Sequence, residues 1–416
     1  MEGDFSLQAG GDIVAGNKTT VTNYIIQRRA KELTNTPFKF LASYDIADRD
    51  IFYGRDAVVE ELAGAVARHR VIIINGASGA GKSSLINAGM IPRLAENGYS
   101  YVAFREYSDP LAQFAHLGKQ PKATEVGPNG AVGLTQKTAS ASENIETRDT
   151  KGPDLNDPSL LLQLIRAVHS APMVVVLDQF ERFFVNVPQE KRSVFIAAFK
   201  HCLQYSSAQE INFVIALRDE FFGQLTREFE TQIPVFLNEA FHFNLLPLTR
   251  DEAREAIVKP LENTSLKIQY DEDFVDKVLL TGLAAQADGS TNINPPHLQI
   301  VCNQLFDEAR QRLQQKKSSV LISEKLYNEL GAAQAILNTY LDKVVEEVAR
   351  EAERITTVRS LLQRMIDTTG TRRFVCQELL ARELPDVNEA EIRDFLQKLL
   401  DRRVIERRLI EAREPD

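Results

Sequence analysis

The sequence predicts an α/β fold in which a parallel sheet of five strands carries helices on both faces. Short apolar runs, each long enough for one buried strand, alternate with helical segments. A glycine-rich turn joins the first run to a helix, and two later runs end in charged residues, as strands do at the ligand-binding edge of such sheets. The first predicted strand begins at Val71, and the others lie at Tyr99–Phe104, Met173–Leu177, Ile211–Leu217 and Phe241–Leu246.

The composition is that of a globular protein with two or three domains. The chain has 416 residues, of which 44% are hydrophobic and 26% charged, and a single hydrophobic core rarely grows to that length. A net charge of -9 argues against a protein that binds nucleic acid or an anionic membrane over its whole surface. We find no membrane-spanning run, no signal-peptide pattern and no metal-type cysteine spacing, so we expect a cytoplasmic protein.

The glycine-rich turn fits the phosphate-binding P-loop pattern G-x-x-x-x-G-K-[ST] from Gly76 to Ser83. Gly76, Gly79 and Gly81 allow positive φ angles and a close approach of backbone N–H groups to a phosphate. We expect Lys82 to reach the β- and γ-phosphates and the Ser83 hydroxyl to bind Mg²⁺. The predicted binding residues for ATP or ADP are Gly76, Ala77, Ser78, Gly79, Ala80, Gly81, Lys82, Ser83 and Ser84.

Two acidic residues follow the buried run Met173–Leu177. A carboxylate that ends a buried strand downstream of a P-loop is the expected partner of Mg²⁺, so Asp178 is predicted to help hold the metal ion. Glu181 is predicted to orient the water that attacks ATP. The structural alternatives are a strand-end carboxylate satisfied by its neighbours for Asp178, and a solvent-facing carboxylate at a helix start for Glu181.

Two arginines complete the predicted site. Arg218 follows the fourth predicted strand and is expected at the same sheet edge as Lys82, where it would sense the γ-phosphate; an ion pair with Asp219 or Glu220 is the alternative. Upstream of the P-loop strand, the turn at Gly54–Arg55 is placed to close over the base or ribose, and an ordinary turn is the alternative.

The N-terminal extension, residues 1–35, is short and glycine-rich. Its stretch Thr19–Ile26 is β-branched and aromatic, which predicts a short β element with an unpaired edge. The extension is either a mobile tail or a strand offered to a partner protein.

Three further parts follow this extension. Residues 36–248 hold the P-loop domain, interrupted at about 117–158 by a segment with too few large apolar residues to fold. Residues 249–350 are predicted to be helical, with one helix from Ser323 to about Arg350, and to form a lid. Three short helices and a terminal β-like pair predict a winged-helix domain over residues 351–416.

The order of these features resembles the STAND class of P-loop ATPases, relatives of the AAA+ and NACHT enzymes, and within it the bacterial novel STAND NTPases. The resemblance covers roughly Pro37 to Leu409. The P-loop identifies only the superfamily, whereas the Asp-Gln-Phe-Glu step together with the Arg-Asp pair is more specific. The residues that carry the resemblance are Phe52–Arg55, Gly76–Ser83, Phe104–Arg105, Asp109–Leu111, Leu177–Glu181, Phe183–Phe184, Leu217–Asp219, Leu246–Pro260 and Pro295–Gln299.

The resemblance implies a nucleotide held between the sheet, the lid and the winged helix. It also implies a switch, in which ADP holds a closed monomer while ATP and a trigger favour an open oligomer. The site residues that it implies are Lys82 and Ser83 for phosphate and Mg²⁺, Asp178 for Mg²⁺, Glu181 for hydrolysis, Arg218 for sensing, and Arg55 and Pro260 beside the base.

The sequence departs from the family pattern in two ways. Relatives often place a winged-helix histidine against ADP, but this chain has no histidine after His297, and the basic cluster Arg402–Arg408 is the obvious substitute. Relatives also usually carry an N-terminal effector and C-terminal sensor repeats, whereas here the N-terminal extension is too short to be an enzyme and the sequence stops with the predicted winged helix. We therefore expect the effector and sensor to act in trans or to belong to a longer protein.

Three functions are compatible with these features. The first is a signal-transduction ATPase that assembles in the ATP state and recruits an effector in bacterial antiviral or stress defence. The second is an origin-recognition or helicase-loader AAA+ protein that binds DNA through its winged helix. Residues 354–416 hold 13 basic and 12 acidic residues, which is less basic than DNA-binding domains usually are. The third is a nucleotide-dependent scaffold that scarcely hydrolyses ATP.

Overall fold

The computed structural model describes most of the chain. The predicted insertion at about 117–158 lies outside the described residues, apart from residue 117 and residues 154–158. The described residues are 19–21, 36–105, 107, 109–117, 154–168, 172–207, 209–234, 236–262, 266–285, 291–316, 319–350, 352–365, 375, 377–401 and 405.

Two β-sheets are present in the described chain. The strands are β1 (Thr19–Val21), β2 (Val71–Gly76), β3 (Ser100–Phe104), β4 (Met173–Leu177), β5 (Ile211–Arg218), β6 (Phe241–Asn244), β7 (Ile268–Tyr270) and β8 (Val320–Ile322). The main sheet has the order β1-β3-β4-β5-β2-β6, and its last five members are parallel, as predicted. Strands β7 and β8 form a separate parallel pair.

Helices make up most of the rest of the described chain, and none of them is long and apolar enough to cross a membrane. A 3₁₀ helix spans Ile46–Ile51, and π-helical turns at Leu85–Met90 and Val275–Leu279 each continue the helix before them. The α-helices are α1 (Asp56–Val66), α2 (Lys82–Ser84), α3 (Ile91–Glu96), α4 (Pro110–Leu117), α5 (Leu160–Val168), α6 (Glu181–Asn186), α7 (Gln189–Tyr205), α8 (Asp219–Gln232), α9 (Phe236–Glu239), α10 (Arg250–Glu262), α11 (Glu272–Phe274), α12 (Leu280–Ala284), α13 (Pro295–Lys316), α14 (Glu324–Glu329), α15 (Ala332–Ala349), α16 (Ala352–Arg364), α17 (Gln377–Glu383) and α18 (Glu389–Asp401).

The parallel strands are buried on both faces because their sequences are almost continuously apolar. In β2, Val71 and Ile73 pack into one core while Ile72 and Ile74 pack into another, since alternate residues of a strand point to opposite faces. Helices α5, α7 and α8 contribute to the first core, and α1 and α3 contribute to the second. This two-sided burial fixes the sheet and leaves its carboxyl edge to carry polar groups.

The N-terminal β element is paired within the chain. Strand β1 runs antiparallel to β3, with Thr20 opposite Ala103, and forms a sixth strand of the main sheet. One edge of Thr19–Val21 is therefore bound to β3, a pairing that the sequence did not predict, while the outer edge has no neighbouring strand in the described chain. The rest of Thr19–Ile26 lies outside the described residues.

The region after the main sheet forms its own core and is not wholly helical. Strands β7 and β8 were not predicted; each has only three residues, too few to show a period-two pattern, yet Ile268 and Ile322 are fully buried. A single helix was predicted from Ser323 to about Arg350, and this is also wrong. The helix breaks at Gly331, whose φ is +83°, into α14 and α15.

The last helices pack against the second half of α15. Val345, Leu361 and Leu399 belong to this shared core, and α16 to α18 lie where three helices were predicted. The predicted terminal β-like pair, with the cluster Arg402–Arg408, lies outside the described residues apart from Ile405. The winged helix and the domain limits at 35, 248 and 350 therefore stay predictions.

Candidate functional site

The candidate site lies at the carboxyl edge of the parallel sheet. Strand β2 ends at Gly76, and its neighbour β5 ends at Arg218, which is paired in register with Gly76. On the other side of β5, strand β4 ends at Leu177 and is followed by Asp178. The strand register thus brings the P-loop, Asp178 and Arg218 to one edge.

The loop after β2 has the backbone geometry of a phosphate cradle. Gly79 and Gly81 have φ angles of +82° and +97°, a region that favours glycine. Ala77 and Ser78 are at least partly exposed, whereas the Ala80 side chain is buried. Helix α2 follows the loop and continues to the end of α3, so the loop N–H groups lie at the positive end of a long helix dipole.

Gly76 is needed for space and not for a left-handed backbone. It is the last residue of β2 and is not among the described glycines with positive φ, so the positive φ predicted for it is wrong. A Cβ atom at Gly76 would lie 2.6 Å from the Leu245 carbonyl oxygen. Any side chain at this position would push β2 away from the chain that follows β6.

The Lys82 ammonium folds back over the loop. Its Nζ donates hydrogen bonds to the carbonyls of Gly76, at 2.6 Å, and Ala77, at 2.9 Å. Burial lowers the pKa of Lys82, and the nearby Glu181 carboxylate opposes that shift. Its hydrogen-bond partners in the described chain are neutral carbonyls, and contact of this positive charge with a phosphate stays a prediction.

The Ser83 and Asp178 side chains form a pair suited to Mg²⁺. The Ser83 hydroxyl donates to Asp178 Oδ1 at 3.0 Å, and only 1% of Asp178 is exposed. Asp178 Oδ2 is buried and accepts no hydrogen bond from the described residues. Hard oxygen donors of this kind, few in number, are what Mg²⁺ takes when phosphates and water supply its other ligands, so the residues present fit the ion.

Glu181 and Arg218 are buried and paired with each other. Arg218 Nε lies 3.2 Å from Glu181 Oε1, and Glu181 Oε2 is buried without a hydrogen-bond partner in the described chain. Glu181 therefore does not face solvent. Asp219, one of the alternative partners predicted for Arg218, accepts a hydrogen bond from Asn75.

The turn between Asp178 and Glu181 is strained. Gln179 has a φ of +54°, which an L-residue other than glycine rarely adopts. Its N–H donates to Asp178 Oδ1 at 3.0 Å, and the next residue, Phe180, is fully buried. Phe180 thus anchors the turn in the hydrophobic core, and helix α6 begins at the next residue, Glu181.

The predicted base-side residues have well-defined partners outside the P-loop. Gly54 has a φ of +83°, and a Cβ atom there would collide with the Glu252 carbonyl oxygen. Arg55 is buried; its Nη1 donates to the Glu252 carboxylate and its Nη2 to the Leu246 carbonyl. Burial lowers the Arg55 pKa, against the effect of Glu252. Pro260 is buried within α10, and contacts of Arg55 and Pro260 with a base stay predictions.

Two contacts connect the P-loop with the region that is predicted to form the lid. A Cβ atom at Gly79 would lie 2.9 Å from Pro296 Cγ, so the first turn of α13 touches the loop. The Ser84 hydroxyl accepts from the Tyr44 N–H at 3.1 Å, and the Tyr44 hydroxyl lies 3.0 Å from Gln299 Oε1. A movement of the P-loop would therefore change its contacts with α13.

Two polar residues at this edge had no role in the sequence prediction. Arg105 Nε lies 3.1 Å from Asp178 Oδ2. Asn75 donates to Asp219 at 2.6 Å, and His242 Nε2 lies 2.6 Å from the Asn75 amide oxygen. The sequence did mark both positions: Arg105 is a charged residue directly after a predicted strand, and Asn75 is a polar residue inside an apolar run.

Several solved structures resemble this chain weakly. The Aeropyrum pernix ORC2 protein, in its ADPNP–ADP complexes, has 12% identity and a TM-score of 0.43 over 84% of this chain and 95% of its own. Cdc6p from Pyrobaculum aerophilum has 12% identity and a TM-score of 0.40 over 84% and 86%. A Walker-type ATPase of Pyrococcus abyssi has 14% identity and a TM-score of 0.38 over 88% and 93%. Likeness at this level supports no functional inference.

Comparison of the sequence with curated proteins and with family models gave different results. No curated protein matches the chain. The family model described as Novel STAND NTPase 1 matches residues 37–412, which include the P-loop, the Asp178–Glu181 turn, Arg218 and the lid. Because this match spans most of the sequence, the chain belongs to the novel STAND NTPase family.

Proposed function

We propose that the chain is an ATP-binding and ATP-hydrolysing signal-transduction switch that forms a homo-oligomer in the ATP state and recruits or activates an effector. One observation carries the proposal: a P-loop lysine, a serine–aspartate pair and a buried glutamate–arginine pair meet at one sheet edge. These residues are Lys82, Ser83 with Asp178, and Glu181 with Arg218. The buried glutamate supports hydrolysis in addition to binding.

The residues would divide the work of hydrolysis. Backbone N–H groups of the P-loop and the Lys82 ammonium would bind the phosphates. Ser83 and Asp178 would hold Mg²⁺, which supplies positive charge against the phosphate oxygens. Glu181 would take a proton from water as the water oxygen bonds to the γ-phosphorus, and the bond from that phosphorus to the leaving ADP oxygen would break.

The ion pair between Glu181 and Arg218 would make this site sensitive to the γ-phosphate. A phosphate oxygen competes with a carboxylate for a guanidinium, because both form charge-assisted hydrogen bonds with it. ATP would draw Arg218 away and leave Glu181 free for water, whereas ADP would leave the pair in place. Sensing and catalysis would then be one event.

The lid contacts would carry this event outward. Pro296 lies against the P-loop, Arg55 bonds to Glu252 of α10, and Tyr44 lies between Ser84 and Gln299. A switch from 1% to 99% open needs differential binding of about 5.5 kcal/mol. One contact at Arg218 is too small for that, so the trigger is expected to supply much of it.

The partner assignments are part of the same proposal. The proposed setting is bacterial antiviral or stress defence in the cytoplasm, and residues 1–35 are the proposed segment for an effector or sensor protein. The alternative function, DNA binding through a winged helix, depends on the cluster Arg402–Arg408 and has no support from the described residues.

The first test is particle mass in solution by light scattering, with Mg-ADP and then with a non-hydrolysable ATP analogue. We expect a monomer with ADP and a defined oligomer with the analogue. Lys82→Ala should stay monomeric in both, whereas Lys191→Ala, which removes a surface ion pair with Asp109, should behave as wild type. A wild-type monomer in both states would contradict ATP-driven assembly. In a separate turnover assay with ATP, an absence of phosphate release would favour the scaffold alternative.

A further inference from the structure

Arg105 and Asp178 are next to each other because two strands are paired in register. Phe104, the last residue of β3, lies opposite Leu177, the last residue of β4. The Asp178 N–H donates to the Phe104 carbonyl at 2.8 Å, so the ladder continues one residue past β4. The next side chains on the two strands are therefore an arginine and the predicted metal-holding carboxylate.

The two oxygens of Asp178 have different surroundings. Oδ1 accepts hydrogen bonds from the Ser83 hydroxyl and the Gln179 N–H, both at 3.0 Å. Oδ2 is buried without a hydrogen bond from the described residues, and Arg105 Nε lies 3.1 Å from it. A buried carboxylate oxygen is costly without a counter-charge, so Arg105 supplies the charge that Oδ2 lacks.

Arg105 is the movable member of this pair. Its side chain is 37% exposed, whereas that of Asp178 is 2% exposed, and the Asp178 carbonyl is held by the Tyr107 hydroxyl at 3.0 Å. A guanidinium and Mg²⁺ cannot both lie within about 3 Å of one oxygen without strong repulsion. A metal ion at Oδ2 would therefore displace Arg105 and leave Asp178 in place.

We propose that Arg105 competes with Mg²⁺ for Asp178 Oδ2 and thereby sets the metal affinity of the site. The inference deepens the proposed function, since it takes Asp178 as the metal-holding carboxylate. Arg105 is a positioning residue: it keeps Asp178 neutralised until a nucleotide brings phosphate oxygens that bind the metal more tightly. Its displaced guanidinium then lies at the edge where phosphates bind.

Metal affinity tests the proposal directly. Mn²⁺ binding to the full chain with saturating ADP is measured by electron paramagnetic resonance for wild type, Arg105→Met and Arg182→Met. Arg182 is exposed on α6, so its removal takes the same charge from the neighbourhood without touching Asp178. We expect Mn²⁺ to bind about five-fold more tightly to Arg105→Met, while Arg182→Met stays within about two-fold of wild type. Equal or weaker binding by Arg105→Met would overturn the proposal.

Thermal unfolding provides a second readout. Without nucleotide and with EDTA, Arg105→Met should unfold at a lower temperature than wild type, because Asp178 Oδ2 loses its counter-charge. Mg-ADP should close this gap, since the metal ion then supplies that charge. A gap of the same size with Mg-ADP would mean that Arg105 is only structural.

Asp178→Asn separates this inference from the proposed function. If Mn²⁺ binds wild type and Asp178→Asn equally well, the metal assignment itself fails. If Asp178→Asn loses the metal but Arg105→Met binds it as wild type does, only the competition is refuted.

Discussion

Arg218 Nε lies 3.2 Å from Glu181 Oε1, and each of these side chains is only 11% exposed. The residue predicted to sense the γ-phosphate is thus bound to the residue predicted to activate water. Two buried opposite charges stabilise each other, and removing either leaves the other without its partner. Neither residue can therefore change its contacts without affecting the other.

Loss of this pair should reduce discrimination between ATP and ADP. We expect Arg218→Ala to lower the ratio of ATP affinity to ADP affinity about ten-fold, because one charge-assisted hydrogen bond to the γ-phosphate is lost. Displacement of a fluorescent ADP by a non-hydrolysable ATP analogue measures this ratio.

Two further variants keep this result interpretable. Arg218→Lys keeps the positive charge, so it shows the effect of losing the guanidinium in case Arg218→Ala does not fold. Arg227→Ala removes an arginine that is exposed on α8 and is the matched control. An unchanged ratio in folded Arg218→Ala would make the residue structural.

Glu181→Gln should separate binding from hydrolysis. The amide keeps the size of the side chain but cannot accept the proton from water, so we expect turnover to fall at least about 100-fold while ATP affinity is retained. Phosphate release and the nucleotide retained after gel filtration provide the two measurements. Glu220→Gln, exposed in the first turn of α8, is the control, and turnover preserved in Glu181→Gln would refute the assignment.

The sequence predicted the parallel sheet and the edge at which the site residues meet, because both follow from local patterns. A buried apolar run that ends in a charged residue is visible without knowledge of the fold, as at Asp178 and Arg218. Which charges pair is not local: Arg218 contacts Glu181, which was not among its predicted partners, because the turn after β4 brings Glu181 to the end of β5. The partner of Arg105 depends on strand register in the same way.

Packing also decides features that composition leaves open. The sequence predicted positive φ at Gly76, whereas the carbonyl of Leu245 makes that glycine necessary. The pairing of β1 with β3 was not predicted, because a short β-branched stretch carries no information about its neighbour. Strands β7 and β8 were missed for the same reason.

Gly79→Ala should disturb the contact between the P-loop and the lid. Gly79 and Gly98 have nearly the same positive φ, but a Cβ atom added at Gly79 would lie 2.9 Å from Pro296 Cγ, whereas one added at Gly98 would meet no atom within 4 Å. Gly98→Ala should therefore lower the free energy of unfolding by about 1 kcal/mol through backbone strain, and Gly79→Ala by at least about 2 kcal/mol.

Denaturant unfolding measures both values, and fluorescent ADP titration measures the effect on the site. We expect weaker ADP binding in Gly79→Ala alone. If Pro296→Ala restores much of the lost stability, the lid contact is its cause. Equal losses of stability in Gly79→Ala and Gly98→Ala would show that the lid contact contributes nothing.

Gln179 provides a test of whether backbone strain positions Glu181. A left-handed conformation costs a residue other than glycine about 1 kcal/mol, and a β-branched residue more. If the backbone alone matters, Gln179→Gly should keep both stability and turnover. Gln179→Val should unfold at a lower temperature and hydrolyse ATP at least about ten-fold more slowly, with ATP binding retained at the P-loop.

Ala332 in the lid has a φ of +63°, so Ala332→Gly relieves the same kind of strain away from the site and is the control. Steady-state turnover and thermal unfolding are compared for the three variants. Were Gln179→Gly as slow as Gln179→Val while remaining stable, the Gln179 amide itself would be required at the site, and its role would be contact with water or phosphate. A fast Gln179→Gly assigns the effect to the turn, which places Glu181 at the end of β5 whatever side chain stands at 179.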